Sequence, residues 1–394
     1  MTALRIALAH PYSFTEVRRG GERYVWDLAW YLGRQGHHVE VITGTTGPPA
    51  TAIEHGVTFR SVPQRRPRWL GPAGGNEEDG FALALRPALL RARFDLVHAF
   101  TPQAAAAARL SGHRVVFSYL GAADRRWVRR QPAGPVVLAG AAWSANVLAA
   151  LSRSAADLLH GLTRRRPIVL PPGIRTDVFA VKDPSPPCSP TVLFASDASY
   201  HNKAVDVVLA AIDVLAIHRG DVRLLLAGPG DHRWALPGLG ERAEAIARRT
   251  DVLGVGRPED LPLRYRQASV TVLPSVREAF GLVLLESLAS GTPVVCADTG
   301  GPPEIVDSPY IGRTFRAGDA TDLARALDEA IDLAADPLTP TRCAAHAARW
   351  GWTEAVGPAH ERVYQRVARS RRRPGNRRFT DERSRARPDP WLER

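Results

Sequence analysis

Between Leu4 and Thr43 the chain passes from an apolar stretch (LRIALAH, 4–10) through a loop ending in Gly20-Gly21 to an amphipathic run and a second apolar stretch (HVEVIT, 38–43). Val25, Leu28, Ala29 and Leu32 recur at helical spacing in the amphipathic run, and Gly36 stops it. Strand, glycine loop, helix and strand make a βαβ unit. Such a unit belongs to a parallel sheet. The alternation continues through FDLVHAF (94–100), HRVVFSYL (113–120) and PIVLPPGI (167–174). It is interrupted by VKDPSPPCSP (181–190), whose four prolines cannot enter a helix or a central strand. The pattern then restarts with the strands TVLFAS, VRLLLAG, VTVLPS and TPVVCAD and the helices AVDVVLAAIDVLAI and ERAEAIARR. These features predict an α/β protein of two doubly wound, Rossmann-like parallel-sheet domains, 1–180 and 191–351, joined by a linker at 181–190. Ligands of such sheets lie at the carboxyl ends of the strands, so the cleft between the two halves is the expected site.

The length agrees, since 394 residues exceed the roughly 250–300 at which a single core stops growing. No run of about eighteen apolar residues escapes a charge, and the start MTALRIALAHPYSF leads from its apolar stretch into a polar turn instead of a cleavage site. A cytoplasmic protein is expected. Cys188, Cys296 and Cys343 lie far apart without metal-ligand spacing and suit a reducing compartment. The net charge of +12 resembles a nucleic-acid signal until it is located: ten arginines against four acids lie between Arg369 and Arg394. That basic tail (370–394) is expected to be disordered and suits weak peripheral contact with a membrane surface. The mildly basic remainder gives no reason to expect a nucleic-acid partner. Of 52 basic residues only Lys182 and Lys203 are lysines, so a lysine that remains stands out as a place where a compact ammonium is needed.

Three places carry candidate chemistry. Gly20-Gly21 before a helix offers free N–H groups at the positive end of the dipole, an anion site or simply a tight turn. The segment VREAFGLVLLESLASGTPVV (276–295) sets Glu278 and Glu286 on either side of an apolar run. A helix entered after Ala279 turns the amides of Phe280, Gly281 and Leu282 toward a ligand, with Glu278 before the helix and Glu286 more than a turn inside it. Both carboxylates could then accept from ligand hydroxyls; otherwise Glu278 is a helix-start charge and Glu286 an ordinary exposed residue. Lys203, in SYHNKAVDVVL, opens a helix where a cation would neutralise a diphosphate; the alternative is a solvated surface lysine. No G-x-G-x-x-G follows the first strand, and no Walker loop, nucleophile elbow, zinc motif or D-x-D pair occurs, so no metal site is expected. His10, His98 and His113 sit on or beside strands, where satisfied core histidines are commoner than catalysts.

In combination these segments resemble glycosyltransferase family 4, retaining enzymes of the GT-B fold. The Glu278–Glu286 pair resembles that family's E-x7-E motif, followed by the similar SGTPVVCADTGGPPEIV (290–306). RRGGERYVWDLAWYLGRQGHHVEVIT resembles its amino-terminal loop and helix, DLVHAF its D-x-x-H strand end, VLPPGIRTDVF its stretch before the hinge, and VLGVGRPEDLPLRYRQASVTVLPS its nucleotide-side strand and helix. The likeness runs from about residue 4 to 369, with a carboxyl-terminal helix at about 352–369 completing the first, acceptor-side domain. It implies that Glu286 accepts from the ribose and that Glu278 contacts the donor sugar, so that both pair with ligand hydroxyls and not with other side chains. It also implies that Ala279, Phe280, Gly281 and Leu282 hold sugar and diphosphate, that Lys203 neutralises the leaving diphosphate, and that Gly20 and Gly21 close on the phosphates.

Two positions depart from the family. Asp197-Ala198 stands where an arginine is usual, removing a charged hydrogen bond of roughly 1.5–3 kcal/mol. Phe100 stands where the family often has a second histidine that touches the sugar, which puts His98 and Phe100 on the possible sugar or acceptor side. The expected activity is transfer of a hexose-like group, with retention and without metal or other cofactor, from a nucleoside diphosphate sugar of the UDP or GDP type to a small-molecule or lipid-linked acceptor. The alternatives are a non-catalytic nucleotide-sugar-binding protein and an epimerase or hydrolase of nucleotide sugars on the same fold.

Overall fold

A computed structural model describes residues 2–370 except Thr15, Arg18, 67–75, 122–133 and 182–188. Most of the expected linker, Cys188, and the basic tail with its expected membrane contact lie outside the described residues. The chain forms two compact units, one of Met1–Pro172 with Ala355–Arg394 and one of Gly173–Glu354.

The first unit contains strands β1 (Arg5–Ala9), β2 (His38–Thr45), β3 (Thr51–Glu54), β4 (Val57–Pro63), β5 (Leu96–Ala99), β6 (Val115–Tyr119), β7 (Val147–Ala150) and β8 (Ile168–Val169). They order as β3-β4-β2-β1-β5-β6-β7-β8, all parallel except the β3–β4 pair. The central strands are apolar and buried along their length, as a sheet covered on both faces requires. The second unit contains β9 (Thr191–Phe194), β10 (Arg223–Leu226), β11 (Thr250–Val252), β12 (Val270–Leu273), β13 (Val294–Ala297) and β14 (Gly312–Phe315), ordered β11-β10-β9-β12-β13-β14 and wholly parallel. On one face the helices Val205–Leu215 and Ala320–Ala334 pack Val208, Ile212, Leu323 and Leu327 against Val192, Phe194, Leu224 and Val270. Each unit is a doubly wound α/β sheet.

Local differences from the sequence expectation have physical causes. PIVLPPGI makes only the two-residue β8, because Pro171 and Pro172 have no N–H to continue the ladder. The chain joins the second unit at Gly173, earlier than the prolines suggested. There Ile174 forms an isolated parallel bridge with Gly351, and Phe179 packs edge-on to Tyr265 at 6.1 Å.

The final helix, Gly357–Arg369, belongs to the first unit and is pinned there by buried hydrogen bonds. Tyr31 Oη donates to Glu361 Oε2 at 2.9 Å. His37 Nδ1 accepts the Leu4 N–H, so its Nε2 carries the proton and donates to Glu361 Oε1 at 3.0 Å. His360 Nδ1 faces the Val356 carbonyl, which can only accept, so its Nε2 accepts from Tyr24 Oη at 2.7 Å. No helix among the described residues is long and apolar enough to cross a membrane.

Candidate active site

In the second sheet the strand order reverses between β9 and β12, and a crevice opens where the connections leave in opposite directions. Two loops meet at this point. After β9 the chain turns at Asp197, whose Oδ1 accepts from the Ser199 N–H at 3.0 Å and the Ser199 hydroxyl at 2.6 Å. Trp234 Nε1 donates to the Ala198 carbonyl at 2.9 Å and its ring lies 4.1 Å from that of His201. One 3-10 turn, His201–Lys203, then leads through Ala204 into the helix Val205–Leu215. Ala204 has φ 52°, a left-handed conformation costing a non-glycine residue roughly 1–2 kcal/mol. The turn is therefore held by its surroundings and not by local preference.

The loop after β12 is tied to that turn by a hydrogen bond from Val276 N to the Asn202 carbonyl at 3.2 Å. It carries Glu278, whose Oε2 lies 2.7 Å from Lys203 Nζ, with side chains 22% and 25% exposed respectively. Lys203 is thus not a solvated surface lysine. Ala279 and Phe280 are buried, so what they can present to a ligand is backbone. Gly281 has φ 107°, open to glycine alone in practice, and caps the helix Leu282–Ala289. The first N–H groups of a helix have no partner within it and lie at its positive end, so this end suits an anion.

Glu286 sits inside that helix, 7% exposed, and accepts from Tyr265 Oη at 2.6 Å. The alternative of an ordinary exposed Glu286 falls, and one expectation is corrected: both glutamates do pair with side chains, Glu278 with Lys203 and Glu286 with Tyr265. The reason is the cost of a buried or half-buried carboxylate left without a partner. A carboxylate has about four lone-pair sites, so pairing with a side chain does not by itself exclude a ligand hydroxyl.

The loop after β13 contributes what the sequence motif did not single out. Gly301 N donates to the Glu278 carbonyl at 3.0 Å, and Thr299 Oγ1 to that of Val276 at 3.2 Å. A methyl group on Gly300 would overlap the Glu278 carbonyl oxygen, and one on Gly301 that of Ala279. The glycine pair is required because two loops are pressed backbone to backbone. Tyr265 was also missed; its partner is 21 residues away and on another helix.

The other sequence candidates lie in the first unit. Gly20 and Gly21 form the first turn of the helix Gly20–Arg34 instead of preceding it, with Gly21 against Leu120 and His10. His98 is fully buried. Its Nδ1 lies 2.6 Å from Tyr364 Oη and its Nε2 2.8 Å from Ser118 Oγ. Phe100 is also buried, 4.1 Å from the His98 ring and 5.4 Å from Tyr24. The assignment of His98 and Phe100 to a sugar or acceptor contact is corrected: both are core residues, and both His98 nitrogens are already engaged. Burial, with His360 beside it, holds the His98 pKa well below the usual histidine value, and burial brings His360 to about 4. Among the described residues no group of three or more His, Cys, Asp or Glu is placed to hold a metal ion.

Comparison with known proteins supplies a context for this arrangement. Residues 18–178 match the family profile described as Glycosyltransferase Family 4, and residues 189–332 the profile described as Glycosyl transferases group 1. A D-inositol 3-phosphate glycosyltransferase of Streptomyces coelicolor is 36% identical over 186 residues, 43% of this chain and 39% of that protein. One from Mycobacterium tuberculosis is 31% identical over 253 residues, 60% of this chain and 52% of that protein. The matches thus span about two fifths to one half of these relatives. Among solved structures, sucrose-phosphate synthase from Thermosynechococcus elongatus superposes with a TM-score of 0.75 at 21% identity, covering 92% of this chain and 99% of that one. Anabaena HepE in complex with UDP and glucose gives 0.70 at 16% identity, covering 93% and 100%. At these identities the structures establish the shared fold.

Proposed function

The chain belongs to glycosyltransferase family 4, and from that membership we propose that it transfers a hexose-like sugar, with retention, from a nucleoside diphosphate sugar to an acceptor hydroxyl. The observation that carries the reading is the Lys203–Glu278 pair at 2.7 Å beside the amino terminus of the helix Leu282–Ala289, at the strand-order reversal of the second sheet. Cation and helix end together suit a diphosphate. Glu286 and Tyr265, one turn deeper, suit the ribose hydroxyls.

In this reading the bond between the anomeric carbon and the diphosphate oxygen breaks as Lys203 and the amides near Phe280–Leu282 take up the growing negative charge. The acceptor oxygen bonds to the anomeric carbon on the face the diphosphate leaves, and its proton passes to a phosphate oxygen. Configuration is kept and no protein nucleophile or resident cofactor is used. Glu278 holds the Lys203 ammonium in place until the donor arrives and then contacts the sugar. Asp197, bonded to Ser199, gives the diphosphate no cation where the family usually has one, so Lys203 bears more of the charge than it otherwise would.

The test is thermal unfolding of the purified protein with UDP, GDP, ADP or dTDP. A ligand at one hundred times its Kd adds about 2.7 kcal/mol, which should raise Tm by several degrees. A shift with one nucleotide that is lost in Glu286→Ala supports the reading and defines the donor. No shift with any of the four would sink it.

A further inference from the structure

Outside the basic tail the excess charge is confined to one stretch of the chain. Residues 122–170 hold eight arginines against Asp124 and Asp157, an excess of six, and the tail from Arg369 supplies the other six of the net +12. The remainder balances to zero. Four of the eight arginines, Arg125, Arg126, Arg129 and Arg130, lie outside the described residues. Arg164 and Arg166 are exposed just past the helix Arg153–Thr163. Between them Arg165 donates to the Ala145 and Asn146 carbonyls at 2.8 and 3.0 Å, which fixes this stretch against the end of the helix Gly134–Ser144.

That helix, GPVVLAGAAWS, carries no charge on any face. A helix apolar all round is ordinarily buried, yet only Leu138, Ala141 and Ala142 are buried here. Val136, 74% exposed, Gly140, and Trp143, 60% exposed, stand at i, i+4 and i+7 along one outward stripe. Leu110, the last residue of the neighbouring helix Pro102–Leu110, is 71% exposed. Single exposed apolar residues are normal. An uncharged stripe beside the one basic stretch of the folded body marks an interaction surface.

Topology brings these features to one end of the first unit. The three helices join the parallel pairs β5–β6, β6–β7 and β7–β8, so they run back against the strands and finish at the strands' amino ends. Ligands of such a sheet bind at the opposite end. Trp143 Nε1 donates to the Thr163 carbonyl at 2.9 Å, which seats the indole beside Arg164. Arg114, one residue before β6, donates through Nε and Nη2 to the Ser370 carbonyl at 3.2 and 2.9 Å. The described chain therefore ends, and the basic tail begins, at this same end.

Independently of the transferase reading, we propose that this end of the first unit docks on the surface of an anionic lipid bilayer. Leu110, Trp143 and Val136 enter the headgroup boundary, while Arg164, Arg166 and the tail meet lipid phosphates. Tryptophan suits that boundary, and an apolar stripe flanked by basic residues is what holds a peripheral protein there. A nucleic acid would pair with the arginines and leave the stripe in water. A second copy of this chain would set arginine against arginine.

The experiment is co-sedimentation of the full chain with phosphatidylcholine vesicles, with and without phosphatidylglycerol. Binding should need the anionic lipid and fall as salt rises. Arg164→Gln combined with Arg166→Gln should weaken it about tenfold or more, since each basic residue at an anionic surface is worth about a factor of five. Leu110→Ser combined with Val136→Ser should weaken it about tenfold and leave the baseline Tm in place, because both side chains are mostly exposed. No binding to anionic vesicles, equal binding to phosphatidylcholine alone, or binding unchanged in both variants, which would make the tail the whole anchor, would each overturn the proposal. So would a concentration-dependent dimer that Val136→Ser abolishes, because a second copy would then cover the stripe.

Discussion

Each unit hides polar side chains near the carboxyl ends of its strands, and the two sets differ in kind. In the first unit His98, His360, Tyr24, Tyr364 and Ser118 join strands to the final helix in a network fully buried at both histidines, with each histidine nitrogen engaged. In the second unit Lys203 and Glu278 form a charged pair that remains about a quarter exposed, on loops held by other loops. A closed neutral network specifies packing. A half-open charged pair beside a helix end is poised to exchange partners. His98 and Glu278 both stand in segments that resemble family motifs, and burial with completeness of pairing tells them apart.

Lys203→Ala gives the largest expected effect and attacks the open site. Removing the cation that faces a leaving diphosphate should lower transfer about 10²–10³-fold, the loss seen when one preorganised charge-stabilising donor is deleted. Stability should change little, since a partly exposed ion pair contributes about 0–1 kcal/mol. A Tm loss of many degrees with transfer retained would reverse the comparison and make the pair a structural device.

Gly301→Ala comes next. The added methyl group would overlap the Ala279 carbonyl oxygen, so the backbone that carries Glu278 and Phe280 must move. Overpacking of this kind costs about 1–3 kcal/mol. The nucleotide-dependent Tm shift should shrink together with the baseline Tm, and a full shift in this variant would show that the loop geometry does not matter to binding.

Tyr364→Phe probes the closed network. It leaves His98 Nδ1 buried without its 2.6 Å partner, at an expected cost of about 1–3 kcal/mol in urea unfolding. The nucleotide shift should be unchanged, because Tyr364 and the proposed donor site lie in different units. A variant as stable as the parent would mean that the network is not the glue described here.

What could be read from the chain in advance was whatever is encoded locally. Apolar runs and helical spacing place β1, β2, β9, β12 and their helices, and the Glu278-to-Glu286 spacing places one acid before a helix and one within it. Exposed β3 carries no apolar alternation to betray it. The partners of His98 are 20 and 266 residues away, that of Glu286 is 21 away, and the contact of Gly301 with the Glu278 loop exists only once two strands are neighbours. Local pattern carries the elements, while pairing across them is a product of the fold. This is why His98 could pass for a ligand contact and Tyr265 could be overlooked.

The smallest expected effect is a dependence on pH, and it sharpens the contrast. His360 is neutral in the folded protein with its pKa lowered to about 4 by burial, and His98 is lowered as well. In the unfolded chain both return toward about 6.5. Below that value the unfolded state binds more protons, so the stability of the first unit is fully present above pH 6.5 and is lost as pH falls through the folded pKa. For His360 the loss between pH 6.5 and 5.5 is about 1 kcal/mol, and it should level off near pH 4. Urea midpoints followed from pH 7.5 to 5 should fall with this profile, and His360→Gln should flatten it by the His360 share while the buried His98 and His10 keep theirs. A midpoint that stays constant over that range would mean that water reaches the network, and the distinction between a closed first unit and an open second-unit site would lose its physical basis.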